Sequence, residues 1–429
     1  MPLADPVSAA AVAPAASPDA VAVSIVMPCL NEAQSLAHCV ANAREALDRI
    51  AAEYGLPGEI VIADNGSTDG SQAIAEALGA RVVPVAAKGY GAALIGGFDA
   101  ARGRYLVMGD ADGSYDFTDA VAMIGRLEDG ADLCMGSRFK GGIKPGAMPW
   151  KNRYIGNPLL TGILNLFFRS GIDDAHCGLR AIRKDAYRSL GLESTGMEFA
   201  SEMVIKASLK HIRMDEVPAT LSPDLRDRAP HLRPWRDGWR HLRYLFMLSP
   251  TWAFGVPALL LAGIGAVILA IASLHALGVV PGPTHFGVSW TTLATFMVTT
   301  GHFAAIMALA THFYGVRQGY RRLRPTLARL ERALTLETAL VTGGLLIAVS
   351  LVELAAVGVW WSENDFAALP NQLPLLLAIG TGVIGFQTVL GGVLLAVIAG
   401  HRAQLTPVPL EPRPGTARPP VQPPVRPGA

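Results

Sequence analysis

Two aspartates separated by a single residue carry the clearest chemical signal in this sequence. Asp110 and Asp112 lie in the segment Gly109-Asp110-Ala111-Asp112, directly after an apolar run. Two carboxylates at this spacing can share a hard divalent cation, which prefers oxygen ligands and often bridges substrate phosphates. Such a cation neutralises a diphosphate leaving group without a proton donor. Taken alone, however, an Asp-x-Asp pair is more often a solvated turn than a metal site.

Three further polar segments follow other apolar runs. A carboxylate such as Asp64 can accept hydrogen bonds from the ring N–H groups of a base, and Lys88 offers a positive charge to a phosphate. The segment that contains Asp64 can equally be a turn that caps the next helix. The sequence has no GxxxxGK[ST] loop and no strand-linked GxGxxG, which argues against an ATPase or a dehydrogenase. The three segments are Pro28-Cys29-Leu30-Asn31-Glu32, Asp64-Asn65-Gly66-Ser67-Thr68-Asp69-Gly70 and Lys88-Gly89-Tyr90-Gly91.

These polar segments fall at the ends of strands in an alternating strand–helix chain. Short apolar strands that alternate with helices imply a parallel sheet covered on both faces. In such sheets, ligands bind beyond the carboxyl ends of the strands. The predicted strands cover residues 21–27, 59–63, 81–85, 104–109 and 131–135, and the predicted helices cover 33–52, 69–78, 91–101 and 118–128.

The composition divides the chain into a polar and an apolar half. Of the 429 residues, 51% are hydrophobic and 17% are charged, and the mean hydropathy is +0.34; soluble domains carry about 25% charged residues. The 36 Lys and Arg residues nearly balance the 35 Asp and Glu residues, which argues against a basic nucleic-acid-binding protein. Four stretches without Lys or Arg are long enough for membrane-spanning helices, which need about 20 residues. They cover about residues 252–274, 290–314, 338–361 and 373–400.

Arginines between these stretches predict how the protein lies in the membrane. One cluster, from Arg226 to Arg243, precedes the first stretch, and a second, from Arg317 to Arg332, separates the second from the third. The other two loops contain no Lys or Arg. The positive-inside rule therefore places the α/β half and both termini in the cytoplasm of a multi-pass inner- or plasma-membrane protein. The first cluster can also be a loop that closes over phosphates.

The predicted domain boundaries follow from these patterns. Residues 1–20 lack the features of a signal peptide and are predicted to be a disordered leader. An α/β domain is predicted over 21–232, and four membrane helices over 251–402. Residues 403–429 are rich in proline and are predicted to be a disordered tail. The four cysteines show no CxxC spacing, so we expect reduced thiols rather than disulfides or a zinc site.

A helix predicted over residues 233–250 connects the two halves. Trp235, Trp239, Leu242 and Phe246 share one side of it, and the arginines lie elsewhere. Aromatic residues with arginines in this arrangement are typical of a helix at the membrane interface. The alternative is a soluble amphipathic helix docked on the sheet.

Together, the motifs resemble those of family-2 glycosyltransferases, specifically the polyprenyl-phosphate branch that includes dolichyl-phosphate mannose and glucose synthases. The resemblance covers about residues 21–250. It implies the GT-A fold, a Rossmann-like and mostly parallel sheet that binds nucleotide-diphospho sugars, followed here by an all-α transmembrane domain. Besides the segments given above, the matching elements are Gly136-Ser137-Arg138-Phe139, Asp174-Ala175-His176-Cys177-Gly178-Leu179-Arg180 and Gly196-Met197-Glu198-Phe199-Ala200-Ser201-Glu202.

The resemblance also implies roles for individual residues. The metal would be Mg²⁺ or Mn²⁺, with Ser114 standing where the family often has a Gln as a further ligand. Glu198 and Glu202 are candidates for orienting sugar hydroxyls or the acceptor, although glutamates at this i,i+4 spacing can also form a solvated helix face. The implied metal ligands are Asp110, Asp112 and Ser114. The implied catalytic residues are Asp110, Asp112, Arg138, Glu198 and Glu202. The implied nucleotide-sugar-binding residues are Pro28, Leu30, Asn31, Glu32, Asp64, Lys88 and Asp110, and the implied lipid-phosphate-binding residues are Arg138, Lys151 and Arg153.

The function implied by the resemblance is an inverting, metal-dependent transfer of one hexose to undecaprenyl or dolichyl phosphate at the cytoplasmic membrane face. A UDP-glucose-like donor is favoured, and GDP-mannose also fits. We also expect the protein to contact membrane lipids and not to bind nucleic acid. The sequence does not decide whether it forms oligomers. One alternative is a processive polysaccharide synthase, although such enzymes typically carry a Gln-x-x-Arg-Trp motif that this sequence lacks. The other alternative is a lipid-carrier transporter or scaffold whose GT-A domain only binds nucleotide. The intact pair of Asp110 and Asp112 argues against this alternative.

Overall fold

Strands and helices alternate along the amino-terminal half of the chain, as predicted. The computed structural model of the protein describes residues 21–226, 234–281, 285–319, 321 and 333–399, so the predicted leader and tail lie outside the described residues. The strands are β1 (Val23–Cys29), β2 (Gly58–Asp64), β3 (Arg81–Pro84), β4 (Tyr105–Met108), β5 (Leu133–Ser137), β6 (Arg180–Arg183) and β7 (Met214–Pro218). The helices of this half are α1 (Ala33–Tyr54), α2 (Ser71–Ala77), α3 (Tyr90–Ala100), α4 (Ala120–Glu128), α5 (Arg138–Gly141), α6 (Asn157–Phe168), α7 (Lys184–Leu190), α8 (Phe199–Lys210) and α9 (Pro234–Met247).

The seven strands form one mixed sheet in the order β3-β2-β1-β4-β6-β5-β7. Parallel pairs join β1 to β2 and β4, β2 to β3, and β5 to β7. Strand β6 runs antiparallel between β4 and β5. The sheet is therefore mixed, and the predicted mostly parallel GT-A sheet is confirmed. The apolar pattern does not predict β6, because this strand has four residues and begins and ends with arginine.

Two apolar cores cover the two faces of the sheet. Along β1, Val23, Ile25 and Met27 belong to one core and Val26 belongs to the other, because side chains alternate between the faces of a strand. Residues of α1 and α4 fill the first core, and residues of α3, α6, α7 and α8 fill the second. With helices on both faces, the carboxyl ends of β1, β2 and β4 form an open edge where a ligand can bind.

Helix α9 packs against the α/β domain and also exposes apolar side chains. Leu245 is buried in the second core, and His241 is buried beside it. Trp239 and Phe246 are 64% and 43% exposed. The helix is thus docked on the domain, as the prediction of a soluble amphipathic helix requires. It also presents an apolar face, as the prediction of a helix at the membrane interface requires. The side chain of Trp235 lies outside the described residues.

Aromatic contacts join α9 and the α/β domain to the first membrane helix. The ring of Phe167, in α6, stacks on Trp252 with centroids 5.3 Å apart and an interplanar angle of 14°. Phe246 contacts the same ring edge-on, also at 5.3 Å. The orientation of the α/β domain against the membrane half is therefore fixed by packing close to the start of the first span.

Four helices in the carboxyl-terminal half are long and apolar enough to cross a membrane, as predicted. These spans cover Thr251–Ala276, Val288–Arg317, Leu336–Glu363 and Leu373–Ile398, with mean hydropathies of 2.5, 1.6, 2.2 and 2.0. We label their helices α10 (Val256–Ala276), α11 (Val288–Arg317), α12 (Leu336–Glu363) and α13 (Leu373–Ala399).

Helices α12 and α13 approach closely at a pair of glycines. A Cβ atom on Gly343 would lie 2.7 Å from the carbonyl oxygen of Gly385, and a Cβ atom on Gly385 would lie 2.8 Å from that of Gly343. Small residues at such contacts allow membrane helices to pack backbone to backbone. The adjacent Gly344 has no atom within 4 Å of its Cβ position.

Replacing Gly343 by leucine should force these two helices apart. We expect Gly343→Leu to destabilise the protein by about 1–3 kcal/mol, the usual cost of overpacking, and to lower its melting temperature in detergent. Gly344→Leu is the matched control and should change that temperature little. Equal losses in the two variants would contradict the predicted contact.

Candidate active site

A cavity of about 710 Å³ lies at the carboxyl ends of β1, β2 and β4. It brings together six of the predicted site residues, namely Pro28, Leu30, Glu32, Lys88, Asp110 and Asp112. It also contains residues from α9 and from the segment between β7 and α9. From these two elements come Arg226, Arg236 and Arg240, and further lining residues from the rest of the domain include Asn65, Tyr90, Gly196 and Met197.

Arg226 contacts three carboxylates at this cavity. Its Nη2 atom lies 2.6 Å from Oδ2 of Asp112 and 3.0 Å from Oδ2 of Asp224, and its Nη1 atom lies 3.4 Å from Oε1 of Glu32. The preceding segment is held in place because the backbone N–H of Leu225 donates to the carbonyl of Asp112. Sequence motifs do not place Arg226 among the site residues. Its position in the arginine cluster after the last strand was the available signal.

Asp110 lies beside Asp112 in an environment that disfavours its charge. Burial raises the pKa of Asp110 to about 7, and the nearby charge of Asp112 acts in the same direction. A hydrogen bond with Tyr90 and the positive charge of Arg226 lower the pKa and offset part of this effect. Tyr90 is a second site residue that sequence motifs do not predict, although it lies in the same segment as Lys88.

Asn65 shapes the wall of the cavity that contains Lys88. Its Nδ2 atom donates to the carbonyls of Val85 and Ala87, at 3.1 and 2.7 Å, and its Oδ1 atom accepts from the backbone N–H of Gly89 at 2.9 Å. The Lys88 ammonium donates to the backbone carbonyl of Asn65. An aspartate could accept the bond from Gly89 but could not donate to the two carbonyls, so this position requires an amide.

Asp64 and Asn31 do not line the cavity; they belong to the two turns behind it. The Asp64 carboxylate accepts from the backbone N–H groups of Gly66 and Ser67 and from Nε2 of Gln72. Burial raises the pKa of Asp64, but the hydrogen bonds from Ser67, Gln72 and Gly66 outweigh it and hold the pKa below its usual value. Asn31 Oδ1 accepts from the backbone N–H of Thr68 at 2.8 Å.

The same two turns also cap α1. Asp69 Oδ2 accepts from the backbone N–H of Ala33, and Ser71 Oγ accepts from that of Glu32. The turn after β2 therefore caps α1, and it also caps the helix that follows it, as predicted, because Asp69 Oδ1 accepts from the backbone N–H of Ser71 at the start of α2. The cap on α1 fixes Glu32 at the edge of the cavity. The assignment of Asp64 and Asn31 to the nucleotide stays a prediction.

Arg138 is held away from the cavity by a buried ion pair. Its Nε and Nη2 atoms each lie 2.7 Å from a carboxylate oxygen of Asp174. Arg138 is 7% exposed and Asp174 is fully buried. The arginine does not line the cavity, so the structure does not place it where the predicted contact with a lipid phosphate requires. Bidentate pairing with Asp174 accounts for its position.

The two candidate glutamates differ in their surroundings. Glu202 is buried, forms an ion pair with Lys206 at 2.6 Å and accepts from the backbone N–H groups of Glu193 and Ser194. These contacts place it within the domain rather than in the cavity. Glu198 lies closer to the cavity than Glu202, because it follows the lining residues Gly196 and Met197 in the chain. Its Oε2 atom is buried and has no hydrogen-bond partner among the described residues.

The remaining predicted residues lie outside the cavity. Lys151 and Arg153 are on the segment before α6, where each cation sits over a neighbouring aromatic ring, Trp150 and Tyr154 respectively. Ser114 is buried, and its backbone N–H donates to Oδ1 of Asp112. The structure thus brings Ser114 to Asp112 through its backbone, and its role as a metal ligand stays a prediction.

The carboxylates of the cavity could supply some, but not all, of the ligands of a divalent cation. Asp110, Asp112 and Glu32 offer hard oxygen atoms to one cavity, and this is the donor chemistry that Mg²⁺ and Mn²⁺ accept. In the described part of the chain, no group of three or more His, Cys, Asp and Glu side chains is arranged so that together they could hold a metal ion. A cation here would therefore take its other ligands from phosphate and water, as Mg²⁺ commonly does.

Comparison with known proteins identifies the family. The family described as Glycosyl transferase family 2 matches residues 24–191, and the Glycosyltransferase family 2 C-terminal transmembrane region matches residues 309–399. The low-salt glycan biosynthesis hexosyltransferase Agl6 of Haloferax volcanii is 35% identical over 87% of this chain and 88% of that protein. The chain belongs to glycosyltransferase family 2. It is a membrane glycosyltransferase with a GT-A domain.

Two further relatives are more distant. The dolichol-phosphate mannosyltransferase of Pyrococcus furiosus is 28% identical over 53% of this chain and 63% of that protein. A crystal structure of glucosyl-3-phosphoglycerate synthase from Mycobacterium tuberculosis, with Mn²⁺, UDP and glucosyl-3-phosphoglycerate, matches with a TM-score of 0.40. It is 20% identical and covers 53% of this chain and 78% of that one. This overlap is too loose to transfer the role of any residue.

The ion pair of Arg138 and Asp174 predicts a specific pattern of stability changes in this glycosyltransferase. Arg138→Met should cost about 3–5 kcal/mol, because it leaves the Asp174 carboxylate buried without its partner. Adding Asp174→Asn removes the second charge and should restore part of that loss. Chemical denaturation of these two variants and the wild type measures the effect. An Arg138→Met protein as stable as the wild type but inactive would instead place Arg138 in the chemistry.

Proposed function

We propose that this glycosyltransferase transfers one hexose from a nucleotide-diphosphate sugar to polyprenyl phosphate. One observation carries the proposal. The cavity that contains Asp110 and Asp112 is bounded on another side by α9, and α9 leads directly into the first membrane helix. A membrane-bound acceptor can therefore reach the carboxylate end of the sheet without leaving the bilayer. The similarity to the hexosyltransferase from Haloferax and the dolichol-phosphate mannosyltransferase from Pyrococcus supports a hexose and a lipid carrier.

The charges of the cavity suit a diphosphate donor. When bound between Asp110, Asp112 and the donor, a divalent cation would neutralise the leaving diphosphate. Lys88 and Arg226 add positive charge at the same cavity, and preorganised charges of this kind stabilise a leaving group. Asn65 holds the Lys88 segment in place. We propose Mg²⁺ or Mn²⁺ as the cation, UDP-glucose as the first donor to test and GDP-mannose as the second.

A phosphate acceptor also simplifies the chemistry that the protein has to supply. Its oxygen is already anionic at neutral pH, so no side chain needs to act as a strong base. Attack on the anomeric carbon from the side opposite the diphosphate inverts that centre. The main tasks of the chain are then to position the two substrates and to stabilise charge. Glu198, close to Gly196 and Met197, is the candidate for orienting sugar hydroxyls.

We further propose that the α/β domain and both termini face the cytoplasm. The two arginine clusters support this orientation by the positive-inside rule. Arg321, in the second cluster, donates to the backbone carbonyl of Leu248 just before the first span. This contact of Arg321 with a residue that precedes the first span supports a position of the second cluster on the side of the α/β domain. Residues 322–332 of that cluster lie outside the described residues.

The transfer itself is tested with the full chain in nanodiscs. We expect purified protein with Mg²⁺ or Mn²⁺ to convert undecaprenyl phosphate and UDP-glucose or GDP-mannose into a lipid that is one hexose heavier by mass spectrometry. A ladder of longer products would indicate a processive synthase instead. Movement of lipid between leaflets without sugar incorporation would indicate a transporter.

Asp112→Asn is expected to remove the activity and leave the fold intact. The variant loses one of the two carboxylates proposed to hold the cation, a contribution of several kcal/mol, so turnover should fall at least about a hundredfold. Asp129→Asn, at an exposed aspartate after α4, is the control and should keep its activity. Wild-type turnover in Asp112→Asn, at an unchanged melting temperature, would remove Asp112 from the metal role.

Asn65→Asp is expected to affect donor binding more than turnover. The carboxylate would face the carbonyls of Val85 and Ala87 and shift the segment that contains Lys88. The loss of two hydrogen bonds next to the donor predicts a rise of about tenfold in KM for the nucleotide sugar. The KM for the lipid acceptor should stay near the wild-type value, and kcat should change less than the donor KM. A fall in kcat with an unchanged donor KM would contradict this role.

A further inference from the structure

A buried glutamate that does not line the cavity is bonded to a loop that does. Glu202, in α8, is 1% exposed and forms an ion pair with Lys206 at 2.6 Å. The Glu202 carboxylate also accepts from the backbone N–H groups of Glu193 and Ser194, at 3.1 and 2.8 Å. These two residues belong to the loop between α7 and α8, residues 191–198, which we call the α7–α8 loop. The chemistry proposed above gives Glu202 no task.

We propose that Glu202 is a positioning residue for the donor, because it holds the α7–α8 loop against the segment that contains Lys88. The inference rests on the proposed function, since it concerns the binding of the nucleotide-diphosphate sugar. Glu202 acts through the loop and not through contact with a substrate. This role differs from the catalytic one that sequence motifs assign to Glu202.

Two glycines allow the α7–α8 loop to contact the start of α3. A Cβ atom on Gly89 would lie 2.1 Å from the carbonyl oxygen of Thr195. A Cβ atom on Gly91 would lie 2.1 Å from the carbonyl oxygen of Ser194. The backbone N–H of Ala92 donates to the carbonyl of Thr195 at 3.1 Å. The two backbones are therefore in direct contact, and the first turn of α3 would lose this contact if the loop moved.

This contact lies in the wall of the cavity next to Lys88. The lining residues on its two sides are Lys88, Gly89, Tyr90, Gly196 and Met197. Asn65 holds Gly89 through its Oδ1 atom, which accepts from the backbone N–H of that glycine. The carbonyl of Thr195 provides a second contact to the same glycine. The position of Lys88 at the proposed donor diphosphate therefore depends on the α7–α8 loop as well as on Asn65.

The ion pair of Glu202 and Lys206 is directed at this loop. Burial raises the pKa of Glu202, but hydrogen bonds from Lys206 and Ser194 outweigh it and hold the pKa below its usual value. Lys206 is 7% exposed and donates to the backbone carbonyl of Gly191, the first residue of the loop. Apolar residues of similar volume often stabilise a core as well as a buried ion pair does. The polar groups are therefore best explained by the hydrogen bonds that they form with the loop.

The same carboxylate also contacts the membrane-proximal helix α9. Burial raises the pKa of the Tyr244 hydroxyl, and the charge of Glu202 and a hydrogen bond with it act in the same direction. A hydrogen bond with Ser194 lowers this pKa and offsets part of the effect. Tyr244 thus lies where α8, α9 and the α7–α8 loop meet. Glu202 therefore connects the donor side of the cavity to the helix that leads into the membrane.

The test compares two uncharged replacements of the ion pair. Glu202→Gln with Lys206→Met removes both charges and keeps an oxygen atom that can accept from the loop. Glu202→Leu with Lys206→Met removes both charges and the acceptor. Because uncharged replacements of a buried ion pair are often tolerated, both double variants should have melting temperatures near that of the wild type in detergent.

Steady-state kinetics in nanodiscs separate the two double variants. Glu202→Leu with Lys206→Met should raise the KM for the active nucleotide sugar about tenfold, as expected when two hydrogen bonds that hold the donor wall are lost. Glu202→Gln with Lys206→Met should raise it less than about threefold. In both, kcat and the KM for the lipid should stay near the wild-type values. Glu193→Gln is the matched control, because the Glu193 side chain is exposed on the same loop, and it should leave the donor KM unchanged.

Hydrogen–deuterium exchange observes the loop without any substrate. The backbone amides of Glu193 and Ser194 should exchange at least about tenfold faster in Glu202→Leu with Lys206→Met than in the wild type, because they lose their acceptor. In Glu202→Gln with Lys206→Met they should exchange at nearly the wild-type rate. Tyr244→Phe is a milder variant that keeps the ion pair, and it should produce a smaller change in the same direction.

Several results would overturn the assignment. Unchanged exchange in both Glu202→Leu with Lys206→Met and Tyr244→Phe would refute the anchoring of the loop. Faster exchange with an unchanged donor KM would refute its effect on the donor, and a fall in kcat alone would move Glu202 to the chemistry. If the wild-type protein makes no lipid-linked product, the proposed function fails, and calorimetric titration with UDP and Mn²⁺ replaces the donor KM. Equal UDP affinity in the two double variants would then refute the positioning role.

Discussion

The repulsion between three carboxylates in one cavity is the constraint on which the rest of the site depends. Glu32, Asp110 and Asp112 meet at the carboxyl edge of the sheet, where partial burial strengthens the interaction between like charges. Arg226 contacts two of them, and Tyr90 forms a hydrogen bond with the third. We propose a divalent cation with a donor diphosphate as the ligand of this arrangement. In that proposal, the turns that cap α1 and hold Glu32 in place contribute to binding as well as to the fold.

Helix α9 connects this electrostatic site to the membrane. It is anchored on the α/β domain by buried contacts, borders the cavity and exposes aromatic and apolar side chains next to the first span. A soluble glycosyltransferase could bind its donor without such a helix. An enzyme whose acceptor stays in the bilayer needs a rigid connection between the reacting atoms and the headgroup layer, and α9 with the stack of Phe167 on Trp252 provides it.

Local patterns predict much of this architecture but few of its long-range contacts. Apolar runs followed by polar segments predict five of the strands, the carboxylates at the cavity and the four membrane helices. They do not predict β6, because its Arg180 is a charged residue with no exposed surface that donates to three backbone carbonyls. The Gly-Ser-Arg motif marks Arg138 as important, yet its partner Asp174 is 36 residues away. Which arginine reaches the cavity depends on such tertiary contacts, so Arg226 could not be distinguished from its neighbours in the sequence.

The binding of Mn²⁺ tests the central claim about the acidic cavity most directly. The free cation is measured by electron paramagnetic resonance during titration of the full chain in detergent, with and without UDP. We expect one saturable site per chain that binds more tightly with UDP, because the cation takes ligands from both the carboxylates and the diphosphate. Asp112→Asn should weaken the site at least about tenfold. No saturable binding in the presence of UDP, or equal binding by the variant, would contradict the account.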